Sequence, residues 1–195
     1  MGNAITNKRH SVNDRLKMSN GLTEVFLHVL VLNGSALAAS DGEKDLITWL
    51  ARNNQEVVGR GTVGFDLREM PWSENFHQEK DFLLQTINAA RSRCLWEKLN
   101  YEPRADSVTW SLNEFQKMIE SFQKQDVDPA SLMEWNKFKP AEYRKCPLHG
   151  VYLFSWDFDN KTFDYRSCLI CSFNWPQRSK IASIFHDSIN DCRLR

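Results

Sequence analysis

Cys146-Pro147-Leu148-His149 and Cys168-Leu169-Ile170-Cys171 are two short knuckles separated by the eighteen residues 150–167. Each sets two soft donors three residues apart, so one turn of chain aims both at a common point. Two such pairs supply the four corners of a tetrahedron. A site closed by four protein ligands keeps no coordination place for a substrate water, so the pattern predicts a structural metal before it predicts any reaction. Zinc, bound by Cys146, His149, Cys168 and Cys171, is the expected cofactor. The five cysteines form an odd set, explained better by metal spacing and isolated positions than by a disulfide framework. That usage points to a reducing compartment, with the cytoplasm as the default location.

The chain between the knuckles supports the same expectation. Val151-Tyr152-Leu153-Phe154-Ser155-Trp156 and Lys161-Thr162-Phe163-Asp164-Tyr165-Arg166 are aromatic and β-branched runs on either side of Asp157-Phe158-Asp159-Asn160. They predict a β-hairpin with a turn-rich tip, whose two ends bring the ligand pairs together. Gly150, just past the first knuckle, permits a bend that a Cβ would hinder. Over residues 145–173 only, the arrangement resembles a zinc ribbon, with His149 where the plain form has a second cysteine. No family is recognised in the rest of the chain.

At 195 residues and 42% hydrophobic, the chain has material for a substantial core. The expected class is α+β: a polar, flexible arm over residues 1–18, a mainly helical body over 19–140, and a zinc-ribbon-like module with a C-terminal helix over 141–195. Leu22, Val25, Phe26, Val29 and Leu30 recur at helical spacing and predict a buried amphipathic helix. Basic residues, an apolar run and Ala36-Leu37-Ala38 imitate a signal peptide there, but Glu24 and His28 interrupt the apolar region. The run also falls short of the roughly 18 apolar residues that span a bilayer. Ser40-Asp41-Gly42-Glu43 is a capping box ahead of Leu46, Ile47, Leu50 and Ala51. Ser73 is a cap for a helix carrying Phe82, Leu83, Ile87 and Ala90, and Ser111-Leu112-Asn113-Glu114 repeats the capping box ahead of Phe115. Asp128-Pro129 starts a short helix that Lys139-Pro140 ends. Residues 177–190 predict a last helix bearing Ile181, Ile184 and Phe185.

Several motifs fail on context. Gly59-Arg60-Gly61-Thr62-Val63-Gly64 matches the dinucleotide pattern, yet a helix is expected before it and Pro71 forbids a long crossover helix after it. Residues 57–67 are better read as an extended segment that pairs near residues 99–103. Met1-Gly2-Asn3-Ala4-Ile5-Thr6 fits the pattern for N-terminal acylation, which is short enough to recur by chance. Cys94, beside Arg93, has no base identified for it, and His28 reads as a hydrogen-bonded core residue. His77 reads as helix surface, and His186 and Cys192 as helix surface and tail. Glu43 with Asp45, and Glu79 with Asp81, diverge on a helix and read as solvated faces.

No catalytic residue is therefore assigned. The 25 Lys and Arg balance 25 Asp and Glu, so no global field draws the protein to nucleic acid or an anionic membrane. Residues 141–195 carry eight cations against six acids, a weak footprint for a nucleic-acid binder. Seven tryptophans exceed what a core of this size uses, and exposed tryptophans anchor protein interfaces. The expected function is a non-catalytic protein-interaction role, such as an immunity- or antitoxin-like inhibitor or a regulator, with another protein as partner. The alternatives are nucleic-acid binding through Tyr152, Phe154, Phe163 and Tyr165, and an enzyme whose zinc is structural.

Overall fold

The computed structural model describes residues 3–7, 15–53, 64–153 and 168–173. They form a mainly helical α+β structure with one small antiparallel sheet. Helix α1, Asn20–Leu37, is its axis. Ser19 caps it, its hydroxyl oxygen accepting from the Leu22 amide at 3.3 Å. Every residue from Phe26 to Ser35 is buried. The apolar stripe expected at Leu22, Val25, Phe26, Val29 and Leu30 is present, but the helix is enclosed on all sides past its first turn. A helix surrounded in this way needs no polar face.

Helix α2, Asp41–Arg52, begins at the expected capping box, where Glu43 Oε2 accepts from the Ser40 amide at 2.9 Å and from Ala39 at 2.7 Å. Helix α2 crosses α1 at Gly34, where a Cβ would lie 2.2 Å from Ile47 Cδ1 and 2.7 Å from its Cγ1. Gly34→Val is expected to destabilise the fold by about 2 kcal/mol or more through overpacking. Urea denaturation of Gly34→Val, Ile47→Ala and the double variant measures this, and the double variant should recover part of the loss because the two side chains compete for one volume.

Helix α3, Phe76–Arg91, starts later than Ser73 predicts. The Ser73 hydroxyl oxygen accepts from Asn75 at 3.1 Å, and its own proton goes to Glu79, whose other oxygen accepts from the Ser73 amide at 2.8 Å. Helix α4, Ala105–Ser121, runs straight through the second predicted capping box. Ser111 is an interior residue that bonds back to the Ser107 carbonyl at 2.9 Å, because the helix has already begun at Ala105, nearly two turns earlier. Helix α5, Pro129–Phe138, starts and stops where expected, with Asp128 accepting from Ala130 at 3.0 Å. Helices α3 and α4 pack on α1, where Phe26 meets Phe115 edge-on at 5.3 Å.

The N-terminal residues differ most from the sequence reading. In place of a flexible arm, strands β1, Asn3–Thr6, and β2, Arg15–Met18, pair antiparallel. Ile5, Leu16 and Met18 enter the core while Arg15 and Lys17 face outward. Alternation over so short a strand is hidden in a polar stretch. Of the segment 57–67, expected to be extended and to pair near residues 99–103, the described residues 64–67 join this ribbon instead: Thr6 donates to the Phe65 carbonyl at 2.9 Å and pairs with Asp66. Gly64 is required there, since a Cβ would fall 1.8 Å from the Ala4 carbonyl oxygen. The rest of the motif lies outside the described residues, and the chain leaving Gly64 enters only a single 3-10 turn, Leu67–Glu69.

Three of the four acids read as solvated are buried. Glu43 and Glu79 are consumed by backbone amides, and Asp45 is 5% exposed. Burial, opposed by the Ser73 bonds, raises the Glu79 carboxyl above its usual range, with Asp45 and Glu43 nearby adding to the effect. Asp81 is exposed as expected. No helix among the described residues is long and apolar enough to cross a membrane.

Candidate metal centre

The first knuckle is shaped by three backbone bonds. Cys146 donates to the Val151 carbonyl and Gly150 to the Cys146 carbonyl, each at 2.8 Å, and Leu153 donates to Arg144 at 2.9 Å. Gly150 closes the loop at a φ of 70°, a conformation that costs glycine least. Lys145 and Tyr152 face each other as an antiparallel pair. The second knuckle opens the short helix α6, Leu169–Phe173, whose first turn carries Cys171 back over Cys168. The Cys171 amide points at Cys168 Sγ from 3.4 Å, a donor placed to favour a thiolate there.

The four candidate ligands converge as the spacing predicts, with their donor atoms all within 4.8 Å of one another. Cys146 Sγ lies 3.7 Å from both Cys171 Sγ and His149 Nδ1, while Nδ1 lies 3.6 Å from Cys168 Sγ and 3.3 Å from Cys171 Sγ. Ligands at the usual zinc distances of about 2.3 Å for sulfur and about 2.0 Å for nitrogen, spread tetrahedrally, would stand about 3.5 to 3.8 Å apart. A disulfide would bring two sulfurs to about 2.05 Å, and all three cysteines are free. The site can hold a metal ion, and its donor set is compatible with zinc.

Burial makes the centre a closed one. Cys146, His149, Cys168 and Cys171 are 1%, 8%, 0% and 3% exposed. The Cys168 and Cys171 thiols bond to Cys146 and hold it far below the ordinary thiol range, while burial drives Cys168 far above it. Within the cluster, ionisation is favoured at Cys146 and opposed at Cys168. A dication is the charge that would let the remaining sulfurs ionise together.

The other residues weighed for chemistry are placed apart from this centre or held in structural roles. His28 is wholly buried, with Nδ1 2.8 Å from the Tyr101 hydroxyl. Burial, with a smaller contribution from His149, pushes the His28 imidazole down to about 3, so it stays neutral at physiological pH. Cys94 is partly exposed, in a tight connection where Arg93 and Leu95 both take positive φ, and Asn33 donates to its carbonyl at 3.0 Å. His77 lies on the exposed side of the first turn of α3. His186, Cys192 and the predicted last helix lie outside the described residues, as do the hairpin tip, the second half of the first predicted strand and all of the second.

Sequence reasoning missed the residues that seat the centre on the helices. Lys145 donates to the Ser35 carbonyl at 2.6 Å, and the Tyr152 amide donates to Ser35 Oγ at 3.0 Å. Trp135 Nε1 and the Tyr143 hydroxyl both donate to Asp45 on α2. The one local signal was the number of aromatic residues with polar tips between Trp135 and Tyr152, since buried Trp and Tyr need partners. Comparison with protein-family models, with curated proteins and with solved structures finds no match, so the assignment of this centre rests on its own geometry.

Proposed function

We propose that this chain is a non-catalytic protein-interaction protein built around a structural zinc ion, with residues 145–173 forming a zinc-ribbon-like module. The observation that carries the reading is the closed ligand set: four buried donors leave no open coordination place, and a catalytic zinc keeps one. The free thiols fit a reducing compartment such as the cytoplasm. The partner is another protein, and inhibition or regulation of it is the role such an architecture suits. Trp110, Met133, Phe138 and Leu148 are large apolar side chains with 52%, 69%, 57% and 52% of their surface exposed, and they are the candidate anchors. Among the aromatics suggested for base stacking, Tyr152 is 4% exposed, packed edge-on against Tyr143 at 5.9 Å and covered by Lys145, which weakens the nucleic-acid reading.

The test compares, across salt, binding of co-purified protein with binding of RNA and DNA. Affinity for the protein partner is expected to change little between 50 and 200 mM salt, whereas neutralising 6–10 phosphates would lose about a thousandfold or more over that range. Trp110→Ala should weaken the partner complex by about tenfold or more without changing metal content. Steeply salt-dependent nucleic-acid binding lost on mutating Arg144 would replace this reading.

A further inference from the structure

The first knuckle does more than present ligands, because the residues flanking it in the loop converge on one buried serine. Lys145 and Tyr152 stand opposite each other at the mouth of the loop that carries Cys146 and His149. Lys145 Nζ reaches the Ser35 carbonyl and the Tyr152 amide reaches the Ser35 hydroxyl, with the Lys145 ammonium 4.7 Å above the Tyr152 ring. Ser35 is fully buried and lies in the last turn of α1, a turn that has no basic residue of its own. The last carbonyls of a helix lack partners within it and carry partial negative charge, so a cation there completes the helix end. Lys145, one residue before the ligand Cys146, supplies that cation from 110 residues away in sequence.

The chain just before this loop, residues 135–143, holds α2. Trp135 and Tyr143 donate to Asp45, Lys139 Nζ stands 3.7 Å from its other oxygen, and Lys44 of α2 sits 5.7 Å above the Tyr143 ring. Val151, Tyr152, Leu153, Leu169 and Ile170 are buried in one continuous core with the apolar residues of α1. Yet the described residues that make this cover have little structure of their own: one bridged pair and a helix of five residues. Helices that short do not persist alone, and the ligand cluster is what ties the two knuckles to each other.

We propose that the metal centre is a clasp on the corner between α1 and α2: the bound ion holds residues 145–153 over Ser35, and its removal releases the end of α1 and uncovers the apolar surface beneath. The clasp rests on the structural-metal reading of the four ligands and adds regulation to it, since metal availability then sets whether that corner is closed or open. The connection from α1 to α2 spans only residues 38–40, so the ends of both helices loosen together.

Hydrogen exchange with mass spectrometry on the full chain tests this, with cobalt(II) as an independent reporter of occupancy through its thiolate absorption bands. Chelation is expected to speed exchange by about tenfold or more at the end of α1 and the start of α2, residues 34–46, while α3 and α4 keep their protection. Lys145→Met retains every ligand and should still bind cobalt, but residues 34–38 should exchange faster even when loaded. Ser35→Ala, which removes the acceptor for Tyr152, should do the same and covers the case in which Lys145→Met fails to fold. Loss of cobalt with unchanged exchange at residues 34–46 overturns the clasp and leaves the metal reading standing. Exchange that rises uniformly through α3 and α4 also overturns it, because the ion would then stabilise the whole fold. A chain that binds neither cobalt nor zinc removes the metal reading itself.

Discussion

Replacing Cys168 and Cys171 together by serine is expected to abolish metal binding, taking the purified protein from about one equivalent of zinc to none. Serine keeps the size of the side chain but offers a hydroxyl that does not ionise near neutral pH, and two of the four donors sit on this one helical turn. Structural zinc in small peptides contributes an apparent 10–16 kcal/mol near neutral pH, which is folding free energy where the module has no other support. Here the first knuckle also bonds to Ser35, so part of the fold around it has an anchor besides the ion. Those two bonds alone do not hold a loop this short of regular structure, so the double variant should lose order over residues 145–153 and 168–173 while helical circular dichroism from the body, which does not depend on the ion, remains. Substitution at His149 gives a sharper check on the ligand set. His149→Cys should keep the ion, because zinc accepts four thiolates, whereas His149→Ala should weaken binding by more than the roughly 10- to 100-fold that loss of an outer-shell partner costs. Full zinc in the double serine variant, measured by elemental analysis, would place the ion elsewhere.

The ligand set was legible in the sequence because it depends on identity and spacing alone: donors three residues apart converge in any tight turn, whatever surrounds them. Helix existence was legible for the same reason, since periodicity reports a buried face without reference to a partner. Starts of helices were read correctly where the cap was also the first available signal, as at Ser40 and Asp128, and wrongly where an earlier one competed. Ser111 has the letters of a capping box, but the helix had already begun at Ala105. The burial of Glu79 and Asp45 was not legible. An acid reads as exposed until its partner is known, and their partners are a local turn at Ser73 for one and Trp135 and Tyr143, some ninety residues on, for the other. The ribbon of β1 and β2 was hidden for a related reason: its buried face is only Ile5, Leu16 and Met18 among described residues, too few for alternation to register. Contacts between distant segments are decided by packing, and packing is a property of the assembled chain.

Metal affinity is expected to rise with pH by about a factor of ten or more per unit through the neutral range, because a protonated sulfur cannot ligate. The sign is set by the two resolved thiols. Cys146 lies below its ordinary value of 9.0, held there by hydrogen bonds from Cys168 and Cys171, so it adds least to the protons released on loading. Cys168 lies above the same ordinary value because burial penalises its thiolate, so at neutral pH it must give up a proton for each ion bound. Binding that displaces one proton gains one decade of affinity per pH unit, and this gain persists as long as the metal-free Cys168 remains protonated. In the metal-free protein the linkage runs separately for each group. The Cys146 contribution to stability is lost as pH falls, since the unfolded chain then takes up a proton that the folded site refuses; the Cys168 contribution is lost as pH rises beyond the ordinary thiol value, where only the unfolded chain ionises readily. Isothermal titration in buffers of different ionisation enthalpy should report at least one proton released per zinc at pH 7, and a competition series from pH 6 to pH 8 should give the matching slope. A flat affinity over that range would mean that the sulfurs are already ionised without metal, and the closed, buried geometry of Cys168 could not then be its state in solution.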